Sequence, residues 1–451
     1  MKIPKREATA ILDSLTAGVT PRLGLRHIVS GRGAEIKALV QDLETIRDGG
    51  AKVRFIVGSY GSGKSFLLQL ARLQAMEKKF IVADADLTPQ RRLHGTGNQA
   101  LSLYRELMHN LSTQARPEGS ALPAIIEKWL STVQAEVETK DGIDPNSSNF
   151  ARAVQAKVTE TLNAMQDLVH GFDFAQVINA YYRGYLAGND EQKNNALRWL
   201  RGEFNTKSEA NQALGVRSII DDSNWYDYLK AFASFARRVG YAGMLVSIDE
   251  MVNLYKISHS GSRNNNYERI LSIVNDCLQG RASHIGFLFG GTPEAIDDQR
   301  RGLFSYEALR TRLSSSRFEQ EGMRDMESPV LRLPALTPEE IFVLLRKLRD
   351  LHQEHATDSR PLDNNALQVF MQEELRRIGA TEFTTPRELI RDFIQLSNLL
   401  AQYPDRNWQD ILGTIEYQPF ADPNDAEQPF NEESPIAQPD VSPDRFANFR
   451  V

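Results

Sequence analysis

The segment from residue 58 to residue 65 constrains the fold of this chain more than any other stretch. It reads GSYGSGKS and fits the pattern G-x-x-x-x-G-K-[ST]. Residues 52–57 (KVRFIV) before it are mostly apolar and β-branched, which predicts a buried strand. Residues 66–76 (FLLQLARLQAM) after it carry apolar side chains at helical spacing. A strand, a glycine-rich loop and a helix in this order are typical of a phosphate-binding loop.

Each residue type in this loop has a physical reason in a phosphate site. Glycines allow tight turns, so that successive N–H groups converge on phosphate oxygens, and the next helix directs its positive dipole end to the same point. Lys64 supplies charge for the β- and γ-phosphates, and Ser65 supplies a hydroxyl for Mg²⁺. A glycine-rich turn that binds nothing is the alternative. We predict ATP and Mg²⁺ as cofactors, with these nucleotide contacts: Gly58, Ser59, Tyr60, Gly61, Ser62, Gly63, Lys64, Ser65 and Phe66.

Composition places the chain among ordinary globular proteins. It has 451 residues, of which 41% are hydrophobic and 25% charged, which is enough for two or three domains. The single cysteine, Cys277, excludes an internal disulfide and suits a reducing compartment. No apolar run is long enough to span a bilayer, and the N-terminus lacks the apolar core of a signal peptide. We therefore expect a cytoplasmic protein without membrane contact.

The predicted elements divide the chain into an interrupted α/β core with helical additions. Residues 1–50 are predicted as N-terminal helices leading into the core, and residues 51–120 and 217–335 as the core itself. Residues 121–216 show helical segments and no strand pattern, so we predict a helical insertion there. Residues 336–416 are predicted as a helical lid. Residues 417–451 are acidic and proline-rich, which indicates a disordered tail or an extended arm. Within the core we also predict that Ser223 caps a helix ending at Val239, and that a helix covers residues 267–279.

The second chemically informative stretch is residues 243–250, which read GMLVSIDE. A buried apolar strand ends there in two acids, Asp249 and Glu250. In a phosphate-loop ATPase, the first acid would hold Mg²⁺ and the second would orient and deprotonate the attacking water. Both would then lie at the carboxyl edge of the sheet, where the phosphate loop also opens. A strand followed by an acidic turn is the alternative.

Other candidates follow later strands and helices. Thr292 comes after the apolar run 285–289 and could position the lytic water, although a plain turn before Pro293 explains it equally well. The stretch 307–318 (EALRTRLSSSRF) contains three arginines, and the planar fork of arginine suits a γ-phosphate reached across a subunit interface. A solvated helix face is the alternative for Arg310, Arg312 and Arg317. Arg387 lies in the first turn of a predicted helix, where the dipole disfavours a cation, so we expect a specific partner: bound nucleotide or a surface salt bridge.

The order of these parts resembles that of AAA+ ATPases. The pair Gly31-Arg32 and the tripeptide SRF at 316–318 are similar to features of the branch that includes origin-recognition and Cdc6-like proteins. The runs FIVGSYGSGKSFLL, ADADLTPQRRLHGTGNQALSLYREL, SIDE and TPRELIRDF resemble the ATP-binding proteins of BREX-type phage-resistance islands, the BrxD-like group. The resemblance spans roughly residues 4–400. It implies an α/β P-loop NTPase of the AAA+ fold, with a parallel sheet, a large helical insertion and a C-terminal helical lid. It also implies a role in defence against phage, often beside a helicase.

Three functions remain open at this point. The first is a DNA-linked ATPase, a homo-oligomer whose nucleotide state controls assembly on DNA or on a helicase partner. Local pairs such as Arg91-Arg92 and Arg300-Arg301 favour a DNA contact. The second is a nucleotide-switched signalling or scaffold protein with little hydrolysis and no direct DNA contact. The third, a small-molecule kinase, is disfavoured by the acidic strand end and the arginine-bearing lid.

Overall fold

The structure of the protein is a computed structural model. The structure describes residues 3–166, 168–316, 318–319, 323–355, 362–377 and 386–412. The predicted tail, 417–451, and the candidate Arg317 lie outside the described residues.

A five-stranded sheet forms the centre of the core. Its strands are β1 (Ala51–Val57), β2 (Ile81–Asp86), β3 (Met244–Asp249), β4 (Ile285–Gly291) and β5 (Val330–Arg332). They lie in the order β2-β3-β4-β1-β5, and every neighbouring pair is parallel. The predicted α/β architecture with a parallel sheet is thereby confirmed. Because all strands run in one direction, the loops after them open at one edge of the sheet.

Helices cover both faces of this sheet, as a buried parallel sheet requires. The N-terminal half contains α1 (Lys5–Thr16), α2 (Gly33–Arg47), α3 (Lys64–Glu77) and α4 (Gln99–His109). The segment between β2 and β3 then continues with α5 (Leu122–Thr139), α6 (Phe150–Asn163), α7 (Gly171–Ala187), α8 (Asp190–Leu200), α9 (Lys207–Leu214) and α10 (Trp225–Arg238). Successive residues of β1 point to opposite faces: Ile56 packs with α2 and α3, whereas Phe55 belongs to the cluster that includes α4, α10 and α12 (Ser260–Leu278).

The described residues between 121 and 216 contain helices and no strand. Their apolar side chains belong to the same hydrophobic cluster as one face of the sheet. Trp129 on α5 meets Phe235 on α10 edge-on at 5.2 Å, and Phe174 on α7 lies 5.8 Å from the same ring. The helices of this region are therefore anchored to the sheet through α10.

The N-terminal helix packs against helices near the C-terminal end of the described residues. The remaining helices are α11 (Val252–Tyr255), α13 (Pro293–Asp297), α14 (Glu307–Leu313), α15 (Pro338–His355), α16 (Asn364–Arg377), α17 (Pro386–Gln402) and α18 (Trp408–Leu412). Ile11 of α1 joins Leu345 of α15 and Phe393 of α17 in a second hydrophobic cluster. The two ends of the described chain therefore share one core. Among the described helices, none is long and apolar enough to cross a membrane.

Two predicted helices are present, but the start of each was predicted wrongly. The residue before α10 is Asn224, and Ser223 does not cap the helix: its hydroxyl donates to Asp221 Oδ1 at 2.6 Å instead. The helix predicted over residues 267–279 begins at Ser260, because the ring nitrogen of His259 accepts the backbone N–H of Ser262 at 3.1 Å. Ser, Gly and Asn dominate the first two turns, and their low helix propensity concealed the start of the helix.

Candidate functional site

The glycine-rich loop connects β1 to α3 at the carboxyl edge of the sheet. Gly61 and Gly63 have φ angles of 74° and 94°, which L side chains rarely adopt. A Cβ at Gly58 would lie 2.3 Å from Ser62 Oγ, so this position also requires glycine. Since α3 begins at Lys64, the N–H groups of its first turn have no partner within the helix and face the loop. The loop therefore has the backbone geometry of an anion cradle.

Lys64 is held across the mouth of the cradle. Its Nζ donates to the backbone oxygens of Gly58 at 2.8 Å and of Ser59 at 2.9 Å. Burial lowers the pKa of the Lys64 amine, and the carboxylates of Asp249 and Glu250 oppose that shift. The cation is thus attached to the loop and faces two acids.

The structure brings Asp249 to the first turn of α3. Ser65 Oγ donates to Asp249 Oδ2 at 2.8 Å, although the two residues are far apart in sequence. The other oxygen, Oδ1, accepts the backbone N–H of Glu250 at 2.8 Å. Gly290 on β4 makes room for this carboxylate, because a Cβ there would lie 2.1 Å from Asp249 Oδ1. Strand β4 lies between β1 and β3, so the Asp249 carboxylate passes over β4 to reach Ser65. The residue of β4 beneath it must therefore lack a side chain.

Glu250 follows directly and has a φ of 63°, a strained value for a residue other than glycine. Burial against the surrounding protein and the like charges of Asp249 and Asp86 raise the pKa of the Glu250 carboxyl. Asp86 ends β2 in register with Asp249. Sequence reasoning did not single out Asp86.

Two buried hydroxyls face the same cleft. Thr292 follows β4, and its Oγ1 has no hydrogen-bond partner among the described residues; the same holds for Ser62 Oγ in the loop. Both residues line the cleft. A buried polar atom without a partner costs free energy, so two of them at one site indicate a place where a polar ligand would supply the missing bonds.

The cleft extends from the loop into an apolar chamber. Its empty volume is about 1190 Å³, including the open mouth. The apolar wall comes from the N-terminal segment and from the helices at the other end of the chain: Leu15, Val19, Ile28, Leu336, Leu344 and Ile390. A charged end at the loop and an apolar end beyond it match the two ends of a nucleotide.

Arg387, in the first turn of α17, reaches this cleft. Its Nη1 donates to the Tyr60 hydroxyl at 2.7 Å, and its guanidinium lies 4.7 Å from the centre of the Tyr60 ring. The other predicted arginines lie elsewhere. Arg310 and Arg312 are exposed on α14, where Arg312 Nε donates to Asn275 Oδ1 at 2.8 Å. Neither lines the cleft.

Arg32 is a site residue whose role sequence reasoning missed. It is 8% exposed and directs Nη2 to the backbone oxygens of Ser62 at 3.0 Å and Pro334 at 2.8 Å. Glu35 lies 3.9 Å from its Nη1. Arg32 therefore connects the N-terminal segment, the glycine-rich loop and the residues leading into α15. The triplet Gly31-Arg32-Gly33 was visible in the sequence, but its neighbours were not.

The residues present fit a nucleoside triphosphate. The loop offers N–H donors, and Lys64 and Arg387 bring positive charge to the cleft. Among the described residues, no group of three or more His, Cys, Asp or Glu side chains could hold a metal alone. Ser65 and Asp249 offer a hydroxyl oxygen and carboxylate oxygens to a cation at the loop.

Comparison with known proteins agrees with this geometry. The family described as "BREX system ATP-binding protein BrxC/D" matches residues 3–416, which is nearly the whole chain. The chain belongs to this family, so ATP binding and a place in the BREX defence system follow from its membership. No curated protein matches the chain. The match does not extend to the predicted origin-recognition and Cdc6-like relationship, which stays a prediction.

Proposed function

We propose that this chain is a Mg²⁺-dependent ATPase of the AAA+ type that acts in antiviral defence through ATP-dependent assembly on DNA or with a helicase partner. ATP binding and the defence system come from the family. Hydrolysis, Mg²⁺, assembly and the partner are the proposed steps.

The observation that carries the proposal is the 2.8 Å hydrogen bond between Ser65 Oγ and Asp249 Oδ2. It places a hydroxyl and a carboxylate side by side at the end of the loop that also carries Lys64. Mg²⁺ prefers oxygen ligands and is usually held by one or two carboxylates together with substrate phosphates. Ser65 and Asp249 would hold the cation there, and the cation would neutralise charge on the phosphates.

Glu250 would act as the general base. The pKa of its carboxyl is raised by burial and by two neighbouring carboxylates, and a carboxylate of higher pKa is a stronger base. Thr292, at the end of the neighbouring strand, offers an unpaired buried hydroxyl that would orient the attacking water. Arg387 and the helices α15–α18 would serve as the AAA+ lid, and Arg312 or Arg317 of a neighbouring subunit would complete the site in a homo-oligomer.

Contact with DNA is supported by the family resemblance more than by the arginine pairs. Arg91 forms an ion pair with Glu106 at 3.1 Å. Arg301 stacks 5.4 Å from the Tyr255 ring and donates to the backbone oxygens of Lys256 and Ile257. Since these groups are engaged within the chain, we favour a helicase or another defence protein as the first partner to test, with DNA as the second.

A nucleotide-switched scaffold with little hydrolysis is the second candidate. One observation favours it: the cleft is built from three parts of the chain, namely the N-terminal segment, the loop and the C-terminal helices. Nucleotide binding at such a junction would change how the parts pack even without turnover. DNA-stimulated turnover would favour the ATPase, and its absence together with tight binding would favour the switch.

The substitution Glu250→Gln tests the ATPase directly. The amide keeps the size of the side chain but cannot take a proton, so ATP binding should persist while turnover falls by about 10²–10⁴-fold. Asp249→Asn should instead weaken the Mg²⁺-dependent part of ATP affinity. Both variants are measured by calorimetry and by phosphate release. Wild-type turnover in Glu250→Gln would place the base elsewhere.

A further inference from the structure

Tyr60 occupies a position that the glycine-loop pattern leaves open. The pattern fixes residues 58, 63, 64 and 65, and it permits any residue at 60. Tyr60 nevertheless carries a large aromatic ring that is 44% exposed and lines the cleft. Backbone geometry alone does not require this side chain.

The contacts of Tyr60 explain its size and its hydroxyl. The guanidinium of Arg387 lies 4.7 Å from the ring centre, and its Nη1 donates to the hydroxyl at 2.7 Å. On another side, a Cβ at Gly18 would lie 3.8 Å from Arg387 Cδ, so the stem of the arginine passes beside the N-terminal segment. Arg387 is therefore held at its charged end by Tyr60, while its stem passes beside Gly18.

We propose that Tyr60 is a positioning residue that holds the Arg387 guanidinium at the γ-phosphate end of the loop and so sets the preference of the site for ATP over ADP. This inference rests on the proposed role of Arg387 at the nucleotide. Because Tyr60 belongs to the loop itself, its contact with Arg387 sets the position of the guanidinium relative to the backbone that would bind the phosphates.

The position of Arg387 in the cleft is set by its neighbours. Arg387 lines the cleft together with Lys64, Glu250 and Thr292. Its hydrogen bond to Tyr60 joins it to the same loop that carries Lys64. The guanidinium therefore lies at the loop end of the cleft, where a terminal phosphate would be bound.

The donor count of a guanidinium allows both contacts at once. Arginine carries five N–H donors in a planar fork, and the bond to Tyr60 uses one of them. The remaining donors stay available for phosphate oxygens. A long arginine side chain loses rotamer entropy when it is fixed, and a contact that fixes it beforehand spares the ligand part of that cost.

The test is a double-mutant cycle with two nucleotides. Tyr60→Ala and Tyr60→Phe are made alone and in an Arg387→Ala background, and affinities for ADP and for a non-hydrolysable ATP analogue are measured by calorimetry with Mg²⁺. Tyr60→Ala should weaken analogue binding about tenfold and ADP binding less than about twofold. Tyr60→Phe keeps the ring and should recover about half of the loss. In the Arg387→Ala background, neither change should have an effect.

Three results would overturn the inference. Equal losses for both nucleotides would mean that Tyr60 only shapes the loop. A loss that persists without Arg387 would mean the same. Tighter analogue binding in Tyr60→Ala would mean that the tyrosine holds the arginine away from the phosphate. None of these affinities depends on turnover, so failure of the proposed hydrolysis, tested by Glu250→Gln, is separate from failure of this inference.

Discussion

Substituting Gly290 by alanine should displace the Asp249 carboxylate without touching its chemistry. A Cβ at Gly290 would lie 2.1 Å from Asp249 Oδ1, 2.8 Å from its Cγ and 3.0 Å from Leu68 Cδ1. Ordinary van der Waals contact lies at 3.4–4 Å, so all three distances are too short. The φ of Gly290 is not in the left-handed region, so its backbone accepts an L side chain. The effect of the added methyl is therefore steric.

The magnitude follows from the bonds that the carboxylate would lose. Moving it away from Gly290 breaks or stretches the hydrogen bonds from Ser65 Oγ and from the Glu250 N–H, both 2.8 Å long. A hydrogen bond to a charged group contributes about 1.5–3 kcal/mol. A charged contact of that size, lost between the displaced Asp249 carboxylate and the cation, corresponds to about 10–100-fold in the Mg²⁺-dependent part of ATP affinity. Overpacking of β4 should also lower the free energy of unfolding by about 1–3 kcal/mol.

Calorimetric titration with ATP, in Mg²⁺ and in EDTA, separates the two effects. We expect affinity in EDTA to stay near the wild-type value and the gain from Mg²⁺ to fall at least about tenfold. Gly33→Ala is the matched control: a Cβ there meets nothing within 4 Å, and the residue begins a helix, where alanine is favourable. A folded Gly290→Ala variant with wild-type Mg²⁺ dependence and turnover would refute the placement of Asp249.

Three further predictions address other parts of the site. Lys64→Ala should reduce ATP affinity at least about tenfold by calorimetry, because it removes the charge attached to the loop; unchanged affinity would exclude the loop as the phosphate site. Arg32→Met should lower the free energy of unfolding by about 2–4 kcal/mol in chemical denaturation, since two backbone oxygens lose a charged donor. Arg312→Ala should bind ATP without turnover, and mixing this variant with Glu250→Gln protein should restore ATP turnover. Turnover per subunit that does not change with protein concentration, together with no rescue on mixing, would indicate a site complete in one subunit.

The local parts of the site were predictable because they depend on short stretches. A β-branched run, a glycine pattern and an amphipathic run predicted β1, the loop and α3 from neighbouring residues alone. The apolar run ending in Asp249 and Glu250 predicted a strand end at the same edge of a parallel sheet. The direct contact between Asp249 and Ser65 was not predictable. It depends on β4 lying between β1 and β3 and on Gly290 leaving space for the carboxylate.

The missed contacts all join segments that are distant in the chain. Arg32 reaches Pro334, and Arg387 reaches Tyr60, across some three hundred positions each. No periodicity or spacing rule relates residues at such separations. The first turn of α17 did carry a signal, since an arginine there opposes the helix dipole and calls for a specific partner. The sequence could indicate that a partner exists, but only packing identifies it as a tyrosine of the loop.

These long-range contacts have a consequence for how nucleotide binding would act on the molecule. Arg32 bonds the loop to the residues before α15, while Tyr60 bonds the loop to α17. Helix α1 packs on the same C-terminal helices through Ile11. A ligand that changes the conformation of the loop would therefore affect two separate contacts with the C-terminal helices. Helix α1 packs on those helices, so its position would change with theirs. A ligand shifts the balance between two arrangements of a protein only as far as it binds one of them more tightly. A γ-phosphate bound at the loop would contact the segment that joins the N-terminal and C-terminal helices, and would therefore affect their arrangement most directly.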